Sequence, residues 1–297
     1  MRAVVTGGAG FIGSSLVDSL LARGDDVTVV DNFVSGKREN LSSGATLLEH
    51  DIREPFSLEA DVVFHLAAQA DVQTSMKRPG YDAEVNVVGT VNVLQAAGSA
   101  QVIFASSGGA GYGECTEPAA EDAPFLPESP YGIAKKCGEE YLAGWNRVHS
   151  TEHVSLRLGN VYGPRQDAGL EGGVVAIFLE RLARGEQTLI FGDGSQSRDF
   201  VYVGDIVSAF LAVVGQGGGP FNVGTGADTT VAELHRACAA VAGARSEPQF
   251  EAARLGDIQR SVLDAGRIER ERGWRAEVSL ADGLARTWAW MQEAQAV

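Results

Sequence analysis

The sequence predicts an α/β fold: a doubly wound, mostly parallel sheet with a smaller C-terminal domain. Three observations carry this. Short apolar runs rich in β-branched residues alternate with helical stretches through the first half, the pattern of βαβ units. Several of those runs are apolar almost throughout, as suits strands covered on both faces. After Gly163-Pro164 the texture changes, and glycine-containing loops separate shorter elements.

The first strand is Ala3-Val4-Val5. It runs into Thr6-Gly7-Gly8-Ala9-Gly10-Phe11-Ile12-Gly13, which opens a helix over 14–23. Further strands are predicted over 27–30, 46–48, 62–66, 102–105 and 154–158, and helices over 81–97 and 131–148. The later part reads as a helix over 174–183, a turn over 191–195 and a helix over 231–241. Residues 201–214 and 220–223 read as a helix and strand returning to the first domain. The division is therefore 1–162 for a Rossmann-type dinucleotide-binding domain, with a return segment about 201–224, and 163–297 mainly for a substrate-binding domain.

Bulk properties narrow the function. A chain of 297 residues with 44% hydrophobic content has ample material for a core. Its net charge of −15 argues against nucleic acid or an anionic membrane as partner. No apolar run has membrane-spanning length, and the N-terminus enters a strand directly, so neither a signal peptide nor a transmembrane segment is expected. Three scattered cysteines, Cys115, Cys137 and Cys238, make no disulfide framework, and a reducing cytoplasm is the simplest setting. Any phosphate site on so acidic a protein must be local, made from a helix N-terminus and a few placed arginines.

Gly7, Gly10 and Gly13 are spaced GxxGxxG between a strand and a helix, as a dinucleotide fingerprint requires. Glycine there permits the tight turn, the approach of a pyrophosphate to the backbone, and close helix–strand packing. Asp31 ends the second strand at the expected distance. Its carboxylate would accept from the adenosine ribose and repel a 2′-phosphate, which selects NAD over NADP. The alternative is that Asp31 only caps a turn with Asn32. Asp51-Ile52, after the third strand, is placed to meet adenine.

Tyr131 and Lys135 stand four apart in Tyr131-Gly132-Ile133-Ala134-Lys135, one turn of a helix that Ser129-Pro130 starts. A phenol with an ordinary pKa near ~10 is a poor base unless its anion is stabilised. A lysine one turn on and an oxidised nicotinamide would both do so. A cofactor cradle together with a cation-primed tyrosine points to hydride chemistry on a hydroxyl group.

The motifs TGGAGFIG, HLAAQADV, SSGGAGYG, SPYGIAK, NVYGPRQD, FGDGSQSRDFVYV and GDIQRS, with Gly273-Trp274, follow in one order over nearly the whole chain. In this the chain resembles the extended short-chain dehydrogenase/reductase family, and within it the nucleotide-sugar 4-epimerases of the UDP-glucose 4-epimerase type. The resemblance implies that Tyr131 takes the proton of the sugar 4-hydroxyl while NAD takes the C4 hydride. The 4-keto sugar turns over, and hydride returns to the other face. Lys135 would bind the nicotinamide ribose. Cofactor contacts are implied for Phe11, Ile12, Asn32, Leu66, Ala67, Ala68, Asn86 and Ser106, and substrate contacts for Ser107, Asn160, Val174, Arg198, Arg254 and Asp257. Arginine suits a diphosphate because its planar fork meets two oxygens at once. A homodimer built on the helices over 81–97 and 131–148 is implied too. The apolar Val85, Val88, Val91 and Leu94 lie on more than one face of the first of these.

The sequence departs from the family at Gly108, where many relatives carry Ser or Thr. Ser107 is the first candidate for the missing hydroxyl and Ser106 the second, the alternative being that both merely close the strand. Gly109 and Ala110 stand where family dehydratases and decarboxylases carry acids, which leaves simple C4 inversion. Ser261 replaces a bulky tyrosine of hexose-restricted relatives and would leave room for an N-acetyl group, unless a neighbour fills it. UDP-glucuronate and UDP-N-acetylhexosamine epimerases, a decarboxylase or 4-ketoreductase, and a non-catalytic NAD-binding regulator are the competing readings. The intact Tyr131–Lys135 pair argues against the regulator, and Asp31 against a ketoreductase using NADP. His149 and His153 have helical ligand spacing, but a strand starting at Val154 breaks the shared face, so no metal is expected. Cys137, rotated away from Lys135, reads as packing.

Overall fold

The computed structural model describes residues 1–169, 173–253 and 258–295. The first half alternates as its apolar runs require: β1 (Arg2–Thr6), α1 (Phe11–Ala22), β2 (Asp26–Asp31), β3 (Thr46–Glu49), β4 (Val62–His65), α2 (Val72–Lys77), α3 (Pro79–Ala83), α4 (Gly89–Ala97), β5 (Gln101–Ser107), α5 (Gly108–Gly111), α6 (Pro130–His149) and β6 (Val154–Leu158). Next come β7 (Asn160–Tyr162), α7 (Val174–Ala183), β8 (Leu189–Phe191), β9 (Ser197–Arg198), β10 (Phe200–Tyr202), α8 (Val203–Ala212) and β11 (Phe221–Val223). The chain closes with β12 (Thr229–Thr230), α9 (Val231–Ala242), β13 (Gln249–Glu251), β14 (Arg260–Ser261), α10 (Gly266–Arg272) and α11 (Leu280–Gln295).

Seven strands form one sheet in the order β11-β6-β5-β4-β1-β2-β3, and every neighbouring pair in it is parallel. Alternate residues of a strand serve opposite faces. Val5 and Phe64 pack with Leu16 and Leu20 of α1 and Phe210 of α8 on one face. Val4 and Val63 pack with Val93 and Leu94 of α4 and Leu142 of α6 on the other. A separate core joins α7, α9 and α11 through Phe178, Leu179, Leu234, Cys238 and Leu284.

Several elements differ from their sequence reading. The first helix begins at Phe11 rather than Ser14, because Gly10 is already the extended N-cap. Residues 81–97 are not one α-helix: α3 passes through a π turn over Glu84–Val88 before α4. The 201–214 segment divides into β10, which pairs with β7, and α8. Leu94 is fully buried under the sheet and belongs to the core rather than to an outer face, whereas Val88 is half exposed. Because all seven strands run one way, the turn after β1 and the ends of β2, β4, β5 and β6 meet along one edge, where open parallel sheets bind ligands.

Candidate active site

A cavity of about 910 Å³ lies along that edge. Its floor is the turn after β1. Gly7 has φ +72°, and a Cβ there would stand 2.7 Å from the Ala67 amide nitrogen. A Cβ on Gly13 would stand 2.1 Å from the Gly7 carbonyl oxygen, so the first turn of α1 rests on the strand only because both are glycine. Gly10 has nothing nearer than 3.2 Å, which leaves its backbone open to the cavity beside the α1 N-terminus. The turn forms a backbone-lined hollow beside the α1 N-terminus that side chains would fill. Phe11, Ile12, Leu66, Ala67 and Ala68 line the cavity.

Asp31 and Asn32 reach the wall, and both of their turn-forming bonds are present. One Asp31 oxygen accepts from the Phe33 amide at 2.8 Å and the other from the Ala9 amide at 2.9 Å. Those two bonds leave lone pairs for a ribose hydroxyl, so the turn-capping and cofactor readings coexist. Asp51 accepts from the Arg53 guanidinium at 2.7 and 3.0 Å and from Asn32 at 3.0 Å. Those bonds, Arg53's first, hold its carboxyl far below the usual range. Ile52 lines the cavity beside it.

The end of β5 separates the two serines. Ser107 caps α5, accepting from the Ala110 amide at 3.2 Å, and its hydroxyl acts on the Tyr131 phenol, pulling its pKa down. Ser106 turns the other way and donates to Glu139 at 2.5 Å. Glu139 in turn pairs with Arg157 at 2.7 Å, and Arg157 donates to the Tyr112 hydroxyl, also at 2.7 Å. A hydroxyl residue at Gly108 would require the Leu263 side chain to shift. A Cβ there would lie 2.7 Å from both methyls of Leu263.

Lys135 is 3% exposed, with Nζ donating to the Ala105 carbonyl at 2.8 Å and standing 5.8 Å from the centre of the Tyr131 ring. Burial pulls its pKa down to about 8, against the opposing pull of Asp82 and Glu139. Burial likewise pushes Tyr131 up to about 12, with the Ser107 bond pulling it down and Asp82 adding to the rise. The expected lowering of the tyrosine by Lys135 does not figure among these influences, and desolvation sets the direction in the protein alone.

Asn160 and Arg198 stand on the cavity's other side, placed there by β7 and β9. Five other expected residues require correction or lie elsewhere. Val174 does not line the cavity but packs on the α7–α9–α11 core; its neighbour Gly173 lines it. Asn86 sits behind the wall, its amide bonded to the Gln69 backbone and Asp82. Ser261 is buried and does not reach the cavity; its hydroxyl donates to the Gly109 carbonyl at 3.4 Å. Arg254 and Asp257 lie outside the described residues. His149 ends α6, while His153 sits beyond it with a ring nitrogen accepting from the Val102 amide at 3.0 Å. Among the described residues no cluster of His, Cys, Asp or Glu is arranged to hold a metal.

Asp82, Gln69 and the Glu139–Arg157–Tyr112 chain went unnoticed in the sequence. Asp82 is 1% exposed and accepts from Gln69 at 2.8 Å and Asn86 at 3.0 Å, close enough to act on both Lys135 and Tyr131. A signal existed: Glu139 is Lys135 plus four on the same helix, and Gln69 lies inside HLAAQADV.

The model of the NAD dependent epimerase/dehydratase family matches residues 3–224. A UDP-glucose 4-epimerase of Mycolicibacterium smegmatis is 46% identical over 304 residues, covering 97% of each chain. The structure of a UDP-glucose 4-epimerase from Thermotoga maritima with UDP-glucose has a TM-score of 0.97 at 44% identity, over 99% of this chain and 100% of that one. A Thermus thermophilus UDP-glucose 4-epimerase in complex with NAD has a TM-score of 0.93 at 41% identity, with the same coverage.

Proposed function

Because the chain belongs to the NAD dependent epimerase/dehydratase family, we propose that it is an NAD-dependent epimerase that inverts C4 of a UDP-sugar of the glucose/galactose type. When bound, NAD accepts the C4 hydride and gives it back. Tyr131 takes the proton of the 4-hydroxyl and later returns it, and Ser107, which pulls the phenol's pKa down, assists its ionisation. Lys135, anchored on the Ala105 carbonyl, is still mostly protonated at neutral pH and supplies the nearby positive charge. Gly7, Gly10 and Gly13 hold the cofactor diphosphate, Asp31 its ribose and Asp51-Ile52 its adenine end. Asn160 and Arg198, with Arg254 and Asp257, hold the nucleoside diphosphate of the substrate.

The observation that carries this reading is the meeting of Tyr131, Ser107 and Lys135 with the glycine turn in one cavity. Gly109 and Ala110 form the wall where a decarboxylase would place its acid, which favours inversion over decarboxylation. Ser261, away from the wall, gives no support to an N-acetylhexosamine preference. Elements after Gly163, except α8, β11 and α10, whose Ile268 packs in the first core with Phe221, make up the substrate half. The half-exposed Val88, Ile133 and Tyr141 on the π turn and α6 suit a helix-paired homodimer. Three free cysteines suit a reducing compartment such as the cytoplasm, and among the described residues no helix is long and apolar enough to cross a membrane.

Incubating the purified protein with a panel of UDP- and dTDP-sugars, without added NAD, tests the reading. Interconversion of UDP-galactose and UDP-glucose is expected. Loss of carbon dioxide from UDP-glucuronate, or no turnover of any sugar, would overturn it.

A further inference from the structure

Two loops from opposite walls of the cavity meet above the glycine turn. Lys37 lies on the loop after β2, whose Val34, Ser35 and Gly36 line the cavity, and its backbone amide donates to the Ala9 carbonyl at 3.0 Å. Its side chain crosses to Asp167, on the loop after β7, with Nζ 2.9 Å from Oδ2. Asp167 and Gln166 line the cavity themselves. The far loop is held to the first half a second time, where Arg165 pairs with Asp18 of α1 at 2.7 Å. Gln166 fixes its base by donating to the Val161 carbonyl at 2.9 Å.

We propose that the Lys37–Asp167 ion pair is a clasp across the cavity mouth that retards release of the dinucleotide. The proposal rests on the cofactor reading above. Both side chains are partly exposed, at 49% and 32%, so the pair adds little to the stability of the fold. Its position gives it a use: it joins residues far apart in sequence over the backbone that holds the diphosphate. An epimerase regenerates its NAD in every cycle, so a slow exit costs no turnover. The mutual hydrogen bond holds Lys37 above and Asp167 below their ordinary ranges, and the pair stays charged through the neutral range.

The test is the release rate of NADH from the full-length protein, followed by fluorescence on dilution into excess NAD. Lys37→Met and Asp167→Asn should each speed release about two- to five-fold, and the double variant should be no faster than either. Wild type should approach the variants' rate in 1 M salt, where the pair is screened. The sign at Asp167 separates the clasp from simple attraction. If Lys37 only attracted phosphate, Asp167→Asn would free that lysine and slow release. Slower release in Asp167→Asn, or a wild-type rate in either variant, would overturn the clasp. A protein that binds no dinucleotide at all would instead overturn the cofactor reading.

Discussion

Two buried polar clusters share the end of β5 and the length of α6, and they are built to opposite specifications. In one, Arg157 and Glu139 are about nine-tenths buried and pair at 2.7 Å, with Ser106, Tyr112 and Asn222 completing the network. In the other, one turn along α6, Lys135 has a single neutral bond to the Ala105 carbonyl, and Ser107 lowers the Tyr131 pKa against burial and Asp82. Burial shifts both of these groups toward their uncharged forms. The first cluster spends its charges on each other and holds the scaffold. The second leaves Lys135 outside any ion pair, with Asp82 and Glu139 acting on it only from a distance, and this is what a proton-transfer site needs, since a charge already paired has no reason to move a proton.

Breaking the comparison at its functional end should give the largest effect. Tyr131→Phe removes only the ionisable oxygen, so turnover should fall roughly 10²- to 10⁴-fold, with the melting temperature and NAD content nearly unchanged. Near wild-type turnover in that variant would remove Tyr131 from its role.

At the scaffold end the cost should be stability. Arg157→Met strands the Glu139 carboxylate, and breaking a buried pair this way costs about 3–5 kcal/mol. Denaturant unfolding should detect it. A loss below about 1 kcal/mol would mean the pair is better hydrated than its burial indicates.

The sharpest contrast comes from Lys135→Met. The pKa of Lys135 is depressed in the folded protein, from 10.5 to about 8. Below pH 8 the unfolded chain and the fold both carry the proton, and the fold bears the full desolvation cost. Between pH 8 and 10.5 the unfolded chain binds more protons than the fold, so stability rises with pH across that window. Replacing Lys135 by Met should therefore stabilise the protein at pH 7 by about 2 kcal/mol, allowing for the lost Ala105 bond, while abolishing most activity. The gain should vanish toward pH 10.5. A variant destabilised at pH 7 and equally so at pH 10 would contradict the contrast.

The serines give the smallest effect and the finest distinction. Ser107→Ala should lower the turnover number about tenfold, more than it raises the Michaelis constant, because its bond matters most as the proton moves. Ser106→Ala should instead cost about 1 kcal/mol of stability through the lost Glu139 bond, with turnover little changed. Reversed effects would exchange their roles.

What was legible in the sequence was local. The strands and helices of the first half follow from apolar period, the glycine turn from its spacing, and the Tyr131–Lys135 face from helical geometry. What the sequence hid depends on pairs distant along the chain. The choice between Ser106 and Ser107 needs the position of Glu139, and the glycine at 108 is explained only by Leu263. Asn86 reads as a cofactor ligand until Gln69 and Asp82 are seen to occupy its amide. The π turn at Glu84–Val88 leaves no periodic signature that separates it from an α-helix.

In the proposed reaction, hydride leaves and returns to the same carbon without leaving the protein. UDP-galactose carrying deuterium at C4, incubated with the purified protein in ordinary water and without added NAD, tests this most directly. UDP-glucose with the deuterium kept at C4 is expected, read by mass spectrometry and proton NMR. Deuterium lost to solvent, or a product formed only when NAD is supplied in stoichiometric amounts, would contradict it.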